Sequence, residues 1–311
     1  MFVIFRNYVR ANKVNDVSVI IREPDLQINE IFRNDEKAEF TKTLLVGVTE
    51  YLHSPYKLQD FQSASRTAKA IYRCTGSVMY IEQALVTFIN NQSADGLIPE
   101  YAPSLKKSYN SEDTLDLINE VNNYYNISKD NKFLIKVYNK LLTAWNWFLS
   151  FENDKCLLEN VKYNDEHRLD LMLNLKYYRA LNALKNIASV LGEKDTYIMI
   201  LRKLVKLKNN LFKLFYNKKD CYFNRYIDDE CSEYISKNAN AVALDVLFDK
   251  KNKKARNIIL KVFADENDNV HPLSSYYIGE LNNALKKQNM ETLIEKELSG
   301  RKDYIANSYF I

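Results

Sequence analysis

Residues 168–191 read RLDLMLNLKYYRALNALKNIASVL, and this stretch decides the fold. Its apolar residues recur every three or four positions, which is the period of an α-helix that buries one face in a core. The residues of this stripe are Tyr177, Leu181, Leu184, Ala188 and Leu191. Gly192 follows the stripe and predicts the helix end, because glycine readily adopts the left-handed conformation that terminates many helices.

The same period continues along the chain from Asp25 onward. It predicts helices near 25–33, 36–52, 60–75, 78–92, 112–127, 131–151, 168–191, 194–217, 237–249, 251–264, 272–288 and 290–298. Twelve helices in six antiparallel pairs predict an all-α protein, an (α/α)6 toroid with apolar inner helices and amphipathic outer helices. The longer connections at 93–111, 152–167 and 218–236 are polar and aromatic, and such loops are where a scaffold carries its site.

Residues 1–24 differ from the rest of the chain. Two runs rich in β-branched and aromatic residues, FVIFRNYV and VSVII, flank the polar segment ANKVND, which predicts a short β-hairpin. We therefore predict an N-terminal extension at 1–24 and the toroid at 25–311. An exposed edge of the hairpin would allow pairing with a second copy, so a homodimer is one predicted assembly.

Composition narrows the class of protein. The 44 basic and 40 acidic residues leave a net charge of +4, a weaker basic excess than nucleic-acid-binding domains carry. The chain contains no apolar run of about 18 residues, which argues against a membrane partner. Its four cysteines lack C-x-x-C spacing, so they indicate reduced thiols and a cytoplasmic location. Because metal-ligand spacing and a glycine-rich phosphate loop are both missing, we expect neither a metal nor a cofactor.

A motif before the third predicted helix carries a resemblance to a known family. Residues 51–66 read YLHSPYKLQDFQSASR. The motif resembles the signature of bacterial α-L-rhamnosidases, glycoside hydrolase family 78, which runs D-S-P-Y-R-E, a six-residue spacer and G-D. Ser54, Pro55 and Tyr56 match it. Later segments are similar to the family in the same order, namely DLQINEIF, FINNQSADGLIPEYAPS, LINEVNNYYNISKDNKFL, LNLKYYRALNALKNIASVLG, SEYISKNANAVALDVLF and HPLSSYYIGELNNAL.

The resemblance covers Asp25 to Leu298 and implies the six-hairpin glycosidase fold and an inverting hydrolase of terminal sugars. In such enzymes an acid protonates the leaving oxygen while a base activates water, with the two carboxyls roughly 6.5–9.5 Å apart. In this chain the motif's three carboxylates fall on His53, Leu58 and Ser65. The family's general acid maps onto Ser65, whose hydroxyl cannot protonate a glycosidic oxygen near neutral pH. We therefore predict that the standard hydrolytic mechanism is lost.

Loop residues supply the candidate site. The candidate replacements for the catalytic carboxylates are Asp60, Glu100, Asp165 and Glu166. Aromatic rings that can stack on sugar C–H bonds, the histidines and one asparagine of a family motif are substrate-binding candidates. These candidates are His53, Tyr56, Tyr101, Trp147, Tyr163, Asn240 and His271. Trp145 and Trp147 are two apart on one helix, so one should be core and the other nearer the surface.

Basic residues cluster twice. One set is Arg202, Lys203, Lys206, Lys208 and Lys213, and the second lies in KKNKKAR at 250–256. On a helix such charges indicate a solvated outer face, and a pairing of these charges with aromatic readers on one face is not evident from the sequence.

Three functions stay open at this point. The leading interpretation is a protein that binds a glycan or another small polar ligand and has lost hydrolysis. The alternatives are an enzyme with a relocated acid–base pair, either a glycoside hydrolase or acting on another small polar substrate, and a structural scaffold.

Overall fold

The computed structural model describes residues 59–102, 108–159, 161, 169–227, 235–248, 251–264, 270–274 and 277–293. The chain divides into two compact units, and the division falls between Ala144 and Trp145. The predicted β-hairpin at 1–24, the first two predicted helices and most of the last one lie outside the described residues.

The first unit pairs its helices around short strands. In chain order its elements are β1 (Gln59–Asp60), α1 (Phe61–Thr75), α2 (Met79–Asn90), β2 (Ile98–Pro99), β3 (Tyr101–Ala102), β4 (Tyr109–Asn110), α3 (Ser111–Ser128) and the larger part of α4 (Asn131–Leu149). Helix α1 packs against both α2 and α3. Strand β1 pairs with β3, and β2 pairs with β4, both antiparallel.

The second unit continues the alternation of helices. Its elements are the end of α4, then α5 (Leu171–Leu191), α6 (Lys194–Phe215), β5 (Tyr216–Asn217), β6 (Tyr222–Phe223), β7 (Ile235–Ser236), α7 (Lys237–Leu247), α8 (Lys253–Ile259), a π-helical turn (Leu260–Ala264), β8 (Val270–His271) and α9 (Ile278–Gln288). Helix α5 packs against α6 and α7, and α7 packs against α9. Strands β5 and β6 form an antiparallel hairpin, whereas β7 and β8 are parallel.

The all-α prediction is confirmed, and most predicted helices match the described ones within a few residues. The predicted helix end at Gly192 is confirmed, and the helix predicted near 60–75 ends in the same way at Gly76, since both glycines are left-handed C-caps. The helix predicted at 272–288 begins later, at Ile278, because Val270–His271 pairs as a strand and residues 272–274 are not helical.

Two consecutive helices of the second unit differ in how much of their surface they bury. Helix α5 is buried around most of its circumference, and four of the five residues of its predicted stripe are buried, Leu191 being half-buried. Helix α6 buries a single stripe, consisting of Ile200, Leu204, Leu207, Leu211 and Phe215. A helix buried on one stripe only leaves its other faces to solvent.

Three connections share one construction, which the sequence analysis missed. Each contains a residue with positive φ, and these residues are Gly96 (97°), Cys156 (61°) and Cys221 (58°). The residue two positions later donates its backbone N–H to a side chain on the next buried helix. The donors and acceptors are Ile98 to Thr114 Oγ1 at 3.0 Å, Leu158 to Asn174 Oδ1 at 2.8 Å and Phe223 to Asn240 Oδ1 at 2.8 Å.

We call Thr114, Asn174 and Asn240 the pin residues. Each is the fourth residue of its helix and also donates to the carbonyl of the N-cap residue four positions earlier, at 2.7–2.9 Å. The two asparagines donate in addition to the carbonyls of Leu158 and Phe223. Since a buried, unpaired backbone group costs about 1–3 kcal/mol, the pins fix where each loop meets its helix.

Candidate functional site

The starts of α1 and α3 bring several acidic residues together in the first unit. Asp60 is the N-cap of α1, and its Oδ1 accepts from the Ser63 backbone N–H at 2.9 Å. The α3 N-cap, Asn110, accepts from the Asp113 N–H at 3.0 Å. Capping side chains satisfy backbone donors at a helix start. Both acidic segments therefore lie at the positive ends of helix dipoles.

Strand pairing brings a second loop to the same place. Asp60 is registered opposite Tyr101, and the preceding residue, Glu100, donates its backbone N–H to Ser108 O at 3.0 Å. Glu100 is half-buried, whereas Tyr101 is 50% exposed. The structure therefore brings together three of the predicted site residues, Asp60, Glu100 and Tyr101.

Gln62, two residues after Asp60 on α1, contacts two more carboxylates. Its Nε2 donates to Asp113 Oδ1 at 2.7 Å and to Asp116 Oδ2 at 2.8 Å. Asp113 is buried, with 8% exposure, and Asp116 is half-buried. We call Asp60, Glu100, Asp113 and Asp116 the acidic edge.

The same faces of α1 and α3 stay polar further along. Lys69 Nζ forms an ion pair with Glu120 Oε1 at 2.7 Å. Gln62 and Lys69 are seven residues apart on α1, as are Asp113 and Glu120 on α3, so each pair lies on one helical face. Ser65, the residue at the family's acid position, lies between them on α1 and is half-buried.

Asp113 and Asp116 were not predicted as site residues. The signal was the segment NSEDTLD at 110–116, where an N-cap asparagine precedes three carboxylates in the first two turns of a helix. Carboxylates at a helix start are common for electrostatic reasons alone. Only the bonds from Gln62, about 50 residues earlier, distinguish this pair.

The other predicted residues fall elsewhere. His53, Tyr56, Tyr163, Asp165 and Glu166 lie outside the described residues.

Trp147, Asn240 and His271 belong to the second unit. Trp145 is core, with 3% exposure, and Trp147 is half-buried against Phe148 and Phe151, so the predicted division of the two tryptophans is confirmed. His271 is exposed on β8, opposite Ser236.

Asn240 has a structural role that its sequence motif did not reveal. It is fully buried, its Oδ1 accepts from Phe223 N–H, and its Nδ2 donates to two backbone carbonyls. A substrate contact by this amide would have to replace those bonds, so we assign Asn240 to the scaffold.

In the second unit, one set of polar and charged side chains is hydrogen-bonded and ion-paired within the protein. Tyr177 donates to Glu152 Oε2 at 2.7 Å, accepts from Trp145 Nε1 at 3.3 Å, and Glu152 also pairs with Lys203. Burial and the Glu152 carboxylate raise the pKa of the Tyr177 hydroxyl. Burial, followed by the charge of Glu152, also raises the pKa of the Cys156 thiol.

A second network joins three helices of that unit. Arg179 on α5 pairs with Asp245 on α7 and Glu280 on α9, each at 3.2 Å. Lys287 reaches Asp245 Oδ1 at 2.8 Å. These charges are paired across helix seams, which indicates a packing role.

The described ranges contain neither a cluster of metal ligands nor a membrane-spanning helix. No group of three or more His, Cys, Asp or Glu side chains is arranged to hold a metal there. In the same ranges, none of the helices has the length and apolar character needed to cross a membrane.

No protein-family model and no curated protein matches this chain. Solved structures, in contrast, do match the chain. An α-L-rhamnosidase from Dictyoglumus thermophilum aligns over 88% of this chain with a TM-score of 0.68 and 15% identity. A rhamnosidase from Klebsiella oxytoca with rhamnose bound aligns over 84% with a TM-score of 0.66 and 9% identity. A family 63 mannosylglycerate hydrolase from Thermus thermophilus in complex with glucose aligns over 79%, with a TM-score of 0.55 and 11% identity.

At these identities the comparisons establish the fold alone. The fold is that of the six-hairpin glycosidases, which confirms the architecture implied by the sequence resemblance. The chain spans 32% of the Dictyoglumus chain, 54% of the Klebsiella chain and 85% of the Thermus chain. The loss of the catalytic carboxylates stays a prediction.

Proposed function

We propose that this protein binds a carbohydrate at the acidic edge of its first unit and does not hydrolyse it by the family's usual route. The observation that carries the proposal is the pairing of β1 with β3, which sets Asp60 opposite the exposed Tyr101. Two of the structures that share the fold hold rhamnose or glucose, which supports a sugar as the ligand.

The chemistry of the acidic edge suits a hydroxyl-rich ligand. Carboxylates accept hydrogen bonds from sugar hydroxyls, and bonds to a charged group are stronger than neutral ones. A tyrosine ring with half of its surface exposed offers a flat apolar face for the C–H side of a sugar. Asp60, Glu100 and Tyr101 together thus supply both kinds of contact, and the predicted ligand class, a carbohydrate or small polar molecule, is retained.

Loss of standard hydrolysis follows from the residue at the acid position. Ser65 lies on α1 close to Gln62, and its hydroxyl has no acidic proton to donate near neutral pH. The cytoplasmic location and the homodimer also remain predictions.

A panel of sugars tests the binding proposal. L-rhamnose, D-glucose and D-mannose are titrated by calorimetry and thermal shift, because a ligand at 100 times its Kd stabilises the folded state by about 2.7 kcal/mol. We expect Tyr101→Leu to weaken binding about tenfold. Asp60→Asn should also weaken it without loss of folding, because asparagine caps helices as well as aspartate does.

Tyr125→Leu is the matched control for these variants. Tyr125 is a half-buried tyrosine on α3, beyond the acidic edge, and its substitution should leave sugar affinity unchanged. The proposal is wrong if none of the sugars stabilises the protein, or if Tyr125→Leu weakens binding as much as Tyr101→Leu.

A second candidate function is favoured by Asp113 and Asp116. Two carboxylates that accept from one amide nitrogen have oxygens closer together than the roughly 6.5–9.5 Å of an inverting pair. A hydrolase would therefore combine one of them with a more distant carboxylate such as Asp60 or Glu100.

Aryl glycosides distinguish this enzyme from a binding protein. Turnover that falls at least 100-fold in both Asp113→Asn and Asp60→Asn would establish the relocated acid–base pair. Sugar binding without turnover in the unmodified protein would exclude it.

A further inference from the structure

A groove in the second unit gathers lysines from two distant stretches of sequence. It has a volume of about 790 Å³ and lies between the end of α6 and the described residues 247–248 and 251–254. Six of its lining residues are lysines, namely Lys208, Lys213, Lys218, Lys251, Lys253 and Lys254. We call this the lysine groove.

Among the described residues, no carboxylate neutralises the charges of the lysine groove. Its lining contains no acidic residue in the described ranges, and none of the six lysines has a carboxylate partner among the ion pairs found there. Lys69 and Lys203, by contrast, are each paired with a glutamate. Unpaired charges of one sign along a concave surface raise the local concentration of an oppositely charged ligand.

Aromatic rings lie between the two sets of lysines. Phe212 and Tyr216 are half-buried, and Phe248 is buried beside them. The Phe212 ring packs against Phe248 at 5.3 Å and against Phe223 at 5.4 Å between centroids. Lys254 Nζ lies 5.9 Å from the Phe212 centroid, so cation and ring already meet in the groove.

We propose that the lysine groove binds nucleotides, with lysines contacting the phosphates and Tyr216 and Phe212 contacting the bases. Lysine is a common point-charge binder of phosphate, and proteins that bind single strands combine such charges with aromatic platforms. A neutral sugar would provide no negative charge to pair with the six lysines. A free nucleotide and a nucleotide within a single strand share this chemistry, and they are separated by the test.

The proposal departs from the expectation, drawn from the sequence, that nucleic acid is not a partner. That expectation rested on the small net basic excess, and on the fact that the sequence does not make evident a pairing of the basic clusters with aromatic rings on one face. The fold makes that pairing evident, because the rings of Phe212, Tyr216 and Phe248 line the same groove as lysines from both clusters.

The test measures anisotropy of labelled single strands of thymidine or uridine nucleotides about 10 long, and of a fluorescent ATP analogue, across a series of salt concentrations. We expect Lys208→Gln combined with Lys213→Gln to weaken binding at least tenfold. For a single strand the slope of log K against log salt should fall by about 1.4, since each phosphate contact contributes about 0.7. Binding of the ATP analogue alone assigns a free nucleotide, and binding of the strands assigns a single strand.

Arg202→Gln combined with Lys206→Gln is the matched control. These residues are exposed on the same helix, α6, and their loss removes the same charge outside the groove. Affinity in the control should stay within about twofold, because neither side chain lines the groove and so neither contacts a phosphate bound there. Equal losses in both double variants would show non-specific attraction and overturn the proposal.

A ring substitution separates base contact from charge. Tyr216→Leu should weaken binding about threefold to tenfold while leaving the salt slope unchanged, because stacking releases no counterions. Tyr216→Phe should bind like the unmodified protein. The proposal is also overturned if polyuronate competes as well as the strands and Tyr216→Leu has no effect, or if neither nucleotide form binds at about 50 mM salt.

Discussion

The loop at 96–101 in the first unit and the loop at 221–226 in the second are built alike and border regions of opposite charge. In the first, Ile98 is held by Thr114, and Glu100 and Tyr101 follow at the acidic edge. In the second, Phe223 is held by Asn240 and packs against the rings of the lysine groove. The scaffold thus fixes the position of each loop, and the side chains around the loop determine which class of ligand suits that region.

These two regions also show why the net charge of the chain is a poor guide to its ligands. The net charge of +4 is the difference between 44 basic and 40 acidic residues, and it carries no information on where those residues gather. Average charge predicted no anionic partner, whereas the distribution of charge in the fold favours one ligand class in each unit.

Asn240 makes three hydrogen bonds as a pin residue, whereas Thr114 makes two. The largest expected effect on stability therefore comes from substituting Asn240. Asn240→Ala removes three buried hydrogen bonds and leaves the N–H and C=O of Phe223 unpaired. We expect the free energy of unfolding to fall by about 3 kcal/mol, measured by urea denaturation. Asn139→Ala, on an exposed face of α4, should change it by less than about 0.5 kcal/mol. A loss below about 1 kcal/mol for Asn240→Ala would contradict the pin.

The weaker pin should give a smaller loss in the first unit. Thr114→Val keeps the shape of the side chain but leaves the buried Ile98 N–H without its acceptor. We expect a loss of about 1.5 kcal/mol, together with weaker sugar binding, because Glu100 and Tyr101 follow Ile98 directly. Thr114→Ser retains the hydroxyl and should preserve most of the stability. If valine and serine are equally destabilising, the hydroxyl is not the cause.

The smallest expected effect is a difference in alkaline pH dependence. Tyr124, on α3, donates to Glu82 Oε2 at 3.0 Å, and burial followed by this bond raises its pKa to about 12. An unfolded tyrosine ionises near pH 10, so the folded state keeps its advantage below about pH 10 and loses it as pH rises toward 12.

Tyr124→Phe removes that titration. Its unfolding free energy should therefore fall less steeply between about pH 10 and 12 than that of the unmodified protein, as followed by denaturation at several pH values. Tyr125→Phe, at the next position on the same helix, is the control and should keep the original pH dependence. An unchanged slope in Tyr124→Phe would rule out this hydroxyl as the source.

Much of the fold could be predicted because its signals are local. The stripe of α5 and the stops at Gly76 and Gly192 depend on residues within a few positions of each other. The strands could not be found this way. Each has two residues, too short to show an alternating pattern, and their pairing depends on segments such as 59–60 and 101–102 meeting in space.

The candidate site was predictable only in part, for the same reason. Asp60, Glu100 and Tyr101 were identified as polar or aromatic loop residues, and their proximity comes from the register of β1 and β3. Asp113 looks like an ordinary acidic residue in a first helical turn until Gln62, 51 positions earlier, is found bonded to it.

The sequence by itself determined which segments become helices, where most of them begin and end, and which faces they bury. These properties depend on capping, periodicity and backbone preference, all of which act within a turn or two of helix. Only the tertiary structure decided which charges gather. The lysine groove joins residues 208–218 to residues 251–254, and the acidic edge joins α1 to α3, because helix packing brings distant segments within contact distance.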